Sequence, residues 1–413
     1  MNIGAEEVPV NKFKGVRITS LDDEDDDEGQ EIVDDEVEDD DDDEEQSEPI
    51  TIGFVEKPEN QWSLLRQYFP SKAGGVPAWL DPVNLPSGRS CACDICGESL
   101  QFLLQVYAPM EKESAFHRML FVFMCPSMRC LLRDQHEQWK RHPEKASRRS
   151  SACQLPRVNP FYSSEDPACN GTQEPSVAGA ALCDWCGTWK GDKLCSSCRR
   201  VRYCSKKHQL IHWRSGHNIA CQKLRDSSQA AECSPNYNGV TSAEFQKVAS
   251  KTVWPEFEIV TEDESESCTD MSDANVCANS LITRDNIDDT RNLLLENFQG
   301  DDDKKSWANF QERIAKAPEQ VLRYYRNTRV RPLWPMSSGR PSNVDIPKCS
   351  FCGGPLCCEF QILPQLLYYF GVENDVDSLD WVTIVVYACE ASCEAGAAYT
   401  QEYAWVQLLP STT

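Results

Sequence analysis

The sequence predicts a mainly β architecture: two similar β-rich halves flank a compact cysteine-rich insert, joined by acidic segments that do not fold. Three observations carry this reading. Eight cysteines and histidines fall within 39 residues near the middle of the chain. Two Cys-x2-Cys clusters, one on each side of that run, repeat each other at an offset of 256 residues. Finally, Asp22 to Glu48 holds 20 acidic residues and no basic one, so a formal net charge of −25 leaves only about −5 for the rest. Like charge at that density cannot collapse, and residues 1–50 read as a disordered acidic arm.

The insert, residues 182–222, reads Cys183-x2-Cys186-x8-Cys195-x2-Cys198-x5-Cys204-x3-His208-x8-His217-x3-Cys221. Soft and borderline donors arriving in pairs are what tetrahedral Zn2+ requires. The order of the pairs predicts interleaving. Cys183, Cys186, Cys204 and His208 hold one ion; Cys195, Cys198, His217 and Cys221 hold the other. Cross-bracing of this kind folds a module by metal instead of by a core. Disulfides are the alternative, but nothing at the N-terminus reads as secretory. Ser205 is placed to cap a short helix through Trp213, which presents His208 and His217 to separate sites. His212 fits neither rhythm and reads as a surface residue. The string Tyr203-Cys204-Ser205-x2-His208-Gln209-x3-Trp213-x2-Gly216-His217-x3-Cys221 resembles the MYND zinc finger, with His208 where the usual form has cysteine. The resemblance implies a non-catalytic interaction module that takes short proline-containing peptides.

The flanking halves span residues 51–162 and 306–413. The first opens with Cys93-Asp-Ile-Cys96-Gly-Glu-Ser-Leu100-x4-Gln105, the second with Cys349-Ser-Phe-Cys352-Gly-Gly-Pro-Leu356-x4-Gln361. Pro77-Ala-Trp79 and Pro332-Leu-Trp334 precede them at nearly equal distances. Each knuckle is followed by an apolar run ending in two more cysteines, Cys125 and Cys130 in the first half, Cys389 and Cys393 in the second. A Cys-x2-Cys turn with a strand-borne second pair makes a four-cysteine zinc site. The small zinc-binding modules therefore total four ions, two in the insert and one in each half. Cys91, Cys357 and Cys358 lie near enough to compete as ligands, whereas Cys153 and the remaining cysteines read as idle. Gln101–Ala108, Phe121–Met124, Glu359–Leu363 and Val382–Tyr387 have the β-branched and aromatic content of strands.

Between the modules the composition loosens. Lys145–Ala181 turns to Ser, Pro, Asn and Gly and reads as a flexible connector, its core at 163–181; Asn159–Tyr162 within it is a candidate docking segment. Residues 223–305 read as an acidic, mostly disordered linker interrupted by a strand-like Val253–Val260. Ser306–Ala317 has helical spacing, with Trp307, Phe310 and Ile314 on one face. Arg323, Arg326, Arg329 and Arg331 form a basic cluster suited to surface or structural ion pairing, with a phosphate or acidic-peptide site as the alternative. No apolar run reaches the roughly 18 residues of a membrane span, so a soluble intracellular protein is expected, and the net charge disfavours direct nucleic-acid binding. No Gly-rich phosphate loop is present, His117 and His136 lack a nucleophile context, and the proposed zinc sites leave no open position for a reacting water. Catalysis is not expected.

Gly74-Gly75-Val76-Pro77-Ala78-Trp79-Leu80, Leu104-Gln105-Val106-Tyr107-Ala108-Pro109, Phe116-His117-Arg118, Pro318–Tyr324 and Glu359–Leu367 together resemble the programmed cell death protein 2 family. That resemblance implies a protein of cytoplasm and nucleus that escorts one newly made, basic small-subunit ribosomal protein toward assembly. Two zinc-stapled β halves suit covering such a client's surfaces, with strand addition to an open sheet edge as one physical route. An adaptor directed by the finger, acting in transcriptional repression or cell-death signalling, is the alternative. The long acidic arm departs from the family's core pattern.

Overall fold

The computed structural model describes residues 50–134, 146–162, 178–226, 253–264, 301–326, 331–373 and 377–409. Nearly all of the acidic arm and most of the acidic linker and of the connector core lie outside these, as do His136, Arg329, Cys169, Cys233, Cys268 and Cys277. In chain order the strands are β1 (Thr51–Glu56), β2 (Lys72–Ala73), β3 (Gln101–Tyr107), β4 (His117–Met124) and β5 (Arg148–Leu155). Then follow β6 (Lys193–Leu194), β7 (Arg202–Tyr203), β8 (Phe257–Asp263), β9 (Leu322–Tyr324), β10 (Leu356–Ile362), β11 (Thr383–Cys389) and β12 (Thr400–Gln407). All but β6 and β7 close into one barrel in the order β1-β8-β2-β3-β4-β5-β12-β11-β10-β9.

The two halves are thus not separate bodies: each contributes an arc of one ring. Their common unit is a hairpin, β3–β4 in the first repeat and β10–β11 in the second. Each carries a register shift at the same place, between Phe102 and Leu104 and between Cys358 and Phe360. A bulge bends a strand and raises its twist, so both repeats curve at an equivalent point. The duplicated glutamines do equivalent work. Gln105 Oε1 accepts from Ala78 N at 2.8 Å and Gln361 Oε1 accepts from Leu333 N at 3.1 Å, tying the two Pro-x-Trp segments to their hairpins.

Successive residues on a strand face opposite sides, and here both sides are apolar. On β4, Leu120, Val122 and Met124 join the core that all barrel strands share, while Met119, Phe121 and Phe123 face outward beneath the zinc finger. On β11, Ile384 and Val386 point in and Val385 and Tyr387 point out. The helix Asp301–Ala315 lays Phe310 and Ile314 against Leu363.

The barrel interior also holds a fully buried ion pair between the repeats. Arg118 on β4 donates to both carboxylate oxygens of Glu359, the bulged residue of β10, at 2.6 and 2.9 Å. Tyr324 Oη and Arg326 Nη1 donate to the same carboxylate at 2.9 and 2.5 Å. Arg323 is buried too, donating to Glu264 at 2.7 Å. Ion pairing, the role expected of this basic cluster, holds for the buried Arg323 and the partly buried Arg326.

Two expectations are corrected. Arg148–Leu155, read as connector, is β5, which joins the repeats by pairing with β4 along its length and with β12. Its polar character misled because the charge is satisfied internally: Arg148 donates to Asp134 at 2.7 Å and to the carbonyl of Ala404 at 2.9 Å. Cys153 is accordingly a buried strand residue. Strand addition to an open edge does not suit a ring that closes on itself. The strand-like segment within the acidic linker is β8, paired with β1 and β2 and completing the closure. No helix among the described residues is long and apolar enough to cross a membrane.

Candidate metal centres

Four groups of ligand atoms converge, each with its members within 4.8 Å of one another. They are Cys93, Cys96, Cys125 and Cys130; Cys183, Cys186, Cys204 and His208; Cys195, Cys198, His217 and Cys221; and Cys349, Cys352, Cys389 and Cys393. These are the groupings that the spacing predicts. Zn–S bonds of 2.3 Å on a tetrahedron give sulfur–sulfur edges of about 3.8 Å. The observed edges are 3.7 Å for Cys96 and Cys125, 3.9 Å for Cys186 and Cys204, 3.9 Å for Cys195 and Cys221, and 3.6 Å for both Cys349–Cys393 and Cys352–Cys389. The histidines present different nitrogens: His208 Nδ1 lies 3.6 Å from Cys183 Sγ, and His217 Nε2 lies 3.7 Å from Cys198 Sγ. The donor sets fit structural zinc, with four protein ligands per cluster.

One backbone device builds each Cys-x2-Cys corner. The residue after the second cysteine has positive φ, at Gly97 (75°), Gly187 (65°), Arg199 (55°) and Gly353 (70°). Its N–H donates to the carbonyl of the first cysteine at 2.8–2.9 Å, closing the knuckle. Amides then turn toward sulfur. Cys93 is lowered to about 5 by its hydrogen bond with Cys125; burial opposes this, and the N–H groups of Cys96 and Ile95 assist it. The thiols outside the clusters behave oppositely. Burial pushes Cys91 and Cys153 up to about 12 and Cys357 to about 11, and Cys358 is raised as well. None of the three possible competitors joins a cluster.

In the finger, Ser205 Oγ accepts from His208 N at 3.1 Å and caps the helix Lys206–His212. Gly216, at φ 134°, then breaks the helical path before Asn218–Asp226, so His208 and His217 face different clusters. His212 belongs to neither cluster but is not a surface residue: Tyr203 Oη lies 3.1 Å from its Nδ1, and burial lowers it to about 4. His117 is structural, stacked on Phe69 with ring centroids 4.4 Å apart.

The finger is seated on the first repeat. Trp189 lies 4.4 Å from Phe123 and donates to the Leu100 carbonyl at 2.8 Å, while Trp79 donates to the Thr188 carbonyl at 2.9 Å. Lys207 pairs with Glu98 of the first knuckle. Asn159–Tyr162 docks as well, with Tyr162 Oη donating to the Leu80 carbonyl at 2.5 Å. Of the side chains that form this seat, Trp79 is marked in the sequence only as part of the repeated Pro-x-Trp segment, and Trp189 not at all. Their signal was the outward apolar face of β4, which needs a cover.

A closed β-barrel with a metal corner on each repeat and a cross-braced finger packed against one of them defines a zinc-binding protein-interaction protein. Comparison with known proteins agrees. The N-terminal domain of programmed cell death protein 2 matches residues 49–169, its C-terminal putative domain matches 304–408, and the MYND finger matches 183–221. The chain belongs to the programmed cell death protein 2 family. It is 35% identical to programmed cell death protein 2 of Bos taurus over 367 residues, covering 87% of this chain and 96% of that one. The protein of that name from Mus musculus is 36% identical over 376 residues, 88% of this chain and 98% of the relative. Programmed cell death protein 2-like of Mus musculus is 27% identical over 348 residues, 78% and 85% of the two chains. No solved structure matches the chain.

Proposed function

We propose that this chain is a non-catalytic escort that captures a newly made, basic small-subunit (40S) ribosomal protein in cytoplasm and nucleus and supports small-subunit assembly. The observation that carries the reading is charge: 20 acidic residues and no basic one between Asp22 and Glu48, in a chain of net charge −25. A polyanionic arm raises encounter rates with a basic client and competes with RNA for it. Four closed ligand sets support a structural role for zinc and a rigid platform in place of chemistry. The assignment is two ions in the finger and one in each repeat. With the ring closed, the client is held on side-chain surfaces and not by an added strand.

A second reading has its own observation. Leu210, Trp213 and Ile219 of the finger are 48%, 41% and 63% exposed, an apolar face suited to short proline-containing peptides and to an adaptor role in transcriptional repression or cell-death signalling. A tagged pull-down from translating cells, read by mass spectrometry with and without Cys183–Cys221, separates the two. Enrichment of one small-subunit ribosomal protein that survives finger deletion supports the escort. Chromatin regulators lost with the finger support the adaptor.

A further inference from the structure

The seat that the finger occupies on the first repeat has a counterpart on the second. Trp189 of the finger rests among Trp79, Phe102 and Phe123 and bonds the Leu100 carbonyl. The register makes Cys358 the equivalent of Phe102 and Tyr387 that of Phe123, since Phe102 pairs with Phe123 as Cys358 pairs with Tyr387. Leu356 follows the second knuckle as Leu100 follows the first, and the two glutamine bonds equate Trp334 with Trp79. Leu356, Cys358, Tyr387 and Trp334 all line one cleft of about 810 Å³.

The cleft differs from the finger's seat in charge. Arg313, Arg323, Arg331 and Arg340 line it, against a single lining carboxylate, Glu390. Glu264 neutralises part of this from behind, pairing with Arg313 and Arg323 at 2.8 and 2.7 Å. Arg331 and Arg340 are exposed. Arg340 is held in position, donating to the Met336 carbonyl and to Ser306 Oγ, each at 2.7 Å.

We propose that this cleft docks an acidic segment of a partner protein, with one aromatic side chain of that segment seated where Trp189 sits on the first repeat and its carboxylates on Arg331 and Arg340. An aromatic anchor in an apolar pocket rimmed by guanidinium groups is a recurring mode of acidic-motif recognition. A nucleic acid meets the same arginines but also the field of a chain with net charge −25, which opposes a long polyanion more than a short peptide. The inference does not depend on the ribosomal client, whose basic surface would avoid this cleft.

The test is fluorescence polarisation of the zinc-loaded full chain with a short fluorescein-labelled peptide of aspartates and glutamates around one tryptophan. Saturable binding is expected, weakened at least about tenfold in the double variant Arg331→Glu/Arg340→Glu, the loss appropriate to charge-assisted contacts. Zinc content should not change; because Arg340 also bonds the Met336 carbonyl and Ser306, the single variant Arg331→Glu, at an exposed residue, is the control that should weaken binding severalfold with melting unchanged. Replacing the probe's tryptophan with alanine should weaken binding severalfold, and Trp213→Ala on the finger should leave it intact. The proposal is overturned by no binding, or by equal binding to the double variant. It is also overturned if an Asn/Gln version of the probe binds as tightly, if the loss follows Trp213→Ala instead, or if an RNA oligonucleotide of equal charge displaces the probe as effectively as the peptide itself.

Discussion

Glu359→Gln should destabilise the barrel severely although the change is nearly isosteric. Glu359 and Arg118 are 0% and 1% exposed and meet through two hydrogen bonds, with Tyr324 and Arg326 on the same carboxylate. Removing the negative charge takes away the hydrogen-bonded counter-ion of the buried Arg118 guanidinium and leaves only the Glu402 carboxyl, which makes no hydrogen bond to it, as a charge partner. Breaking a buried pair by loss of one partner costs about 3–5 kcal/mol. At about 2–4 °C per kcal/mol for a cooperative unit of this size, that lowers the melting temperature by about 6–20 °C. Arg118→Met/Glu359→Leu removes both charges and should recover most of the loss, retaining a cost of about 1–2 kcal/mol because Tyr324 and Arg326 lose their acceptor. The assay is urea unfolding followed by tryptophan fluorescence at neutral pH in saturating zinc. A single variant within about 1 kcal/mol of the parent, or a double variant no better than the single, refutes the reasoning. The pH dependence has a definite sign. Burial pushes the Glu359 carboxyl up, but Arg118, Arg326 and Tyr324 together hold it below its ordinary 4.5. Its stabilisation is therefore complete above about 4.5 and lost as pH falls through the lower folded value, so the acid limb should flatten in the double variant.

Other outcomes follow from the same geometry. Cys352→Ser should remove one zinc by plasma emission analysis and loosen the second repeat's corner of the barrel, lowering the melting temperature, since a structural site contributes on the order of 10–16 kcal/mol in small peptides; unchanged zinc and melting would reject this. Gly216→Ala should weaken zinc retention at Cys195, Cys198, His217 and Cys221, because φ 134° excludes a side chain although no atom lies within 4 Å of the added Cβ; chelator-challenge kinetics would read it. Trp189→Ala should lift the finger from the barrel at a cost of about 3–5 kcal/mol, seen as new protease cutting around residues 178–226 with zinc content retained. Deleting Asp22–Glu48 should slow client capture most at low salt, and equal association rates with and without it would reject the steering proposal.

The metal clusters were legible because their chemistry is local. A Cys-x2-Cys turn needs only the four residues that close it and a fifth with positive φ, and Gly97, Gly187 and Gly353 stand in place. The repeat was legible for the same reason, since Cys93 and Gln105 reappear as Cys349 and Gln361. Pairing across the ring was not. β1 meets β8 and β9, and β5 meets β12, over separations that no local pattern encodes. β5 was hidden further by its polarity, because the partners that make Arg148 tolerable, Asp134 and the Ala404 carbonyl, lie elsewhere in the sequence. The Arg118–Glu359 pair spans 241 residues and has no signature at either end.

Native mass spectrometry of the intact chain, counting zinc in the parent, in Cys96→Ser, in Cys352→Ser and in a chain lacking Cys183–Cys221, tests most directly whether metal organises this fold. Four ions in the parent are expected, three in each cysteine variant, and two after loss of the finger with the barrel still folded. A parent that holds fewer than four ions when saturated, or cysteine variants that lose none, would contradict it.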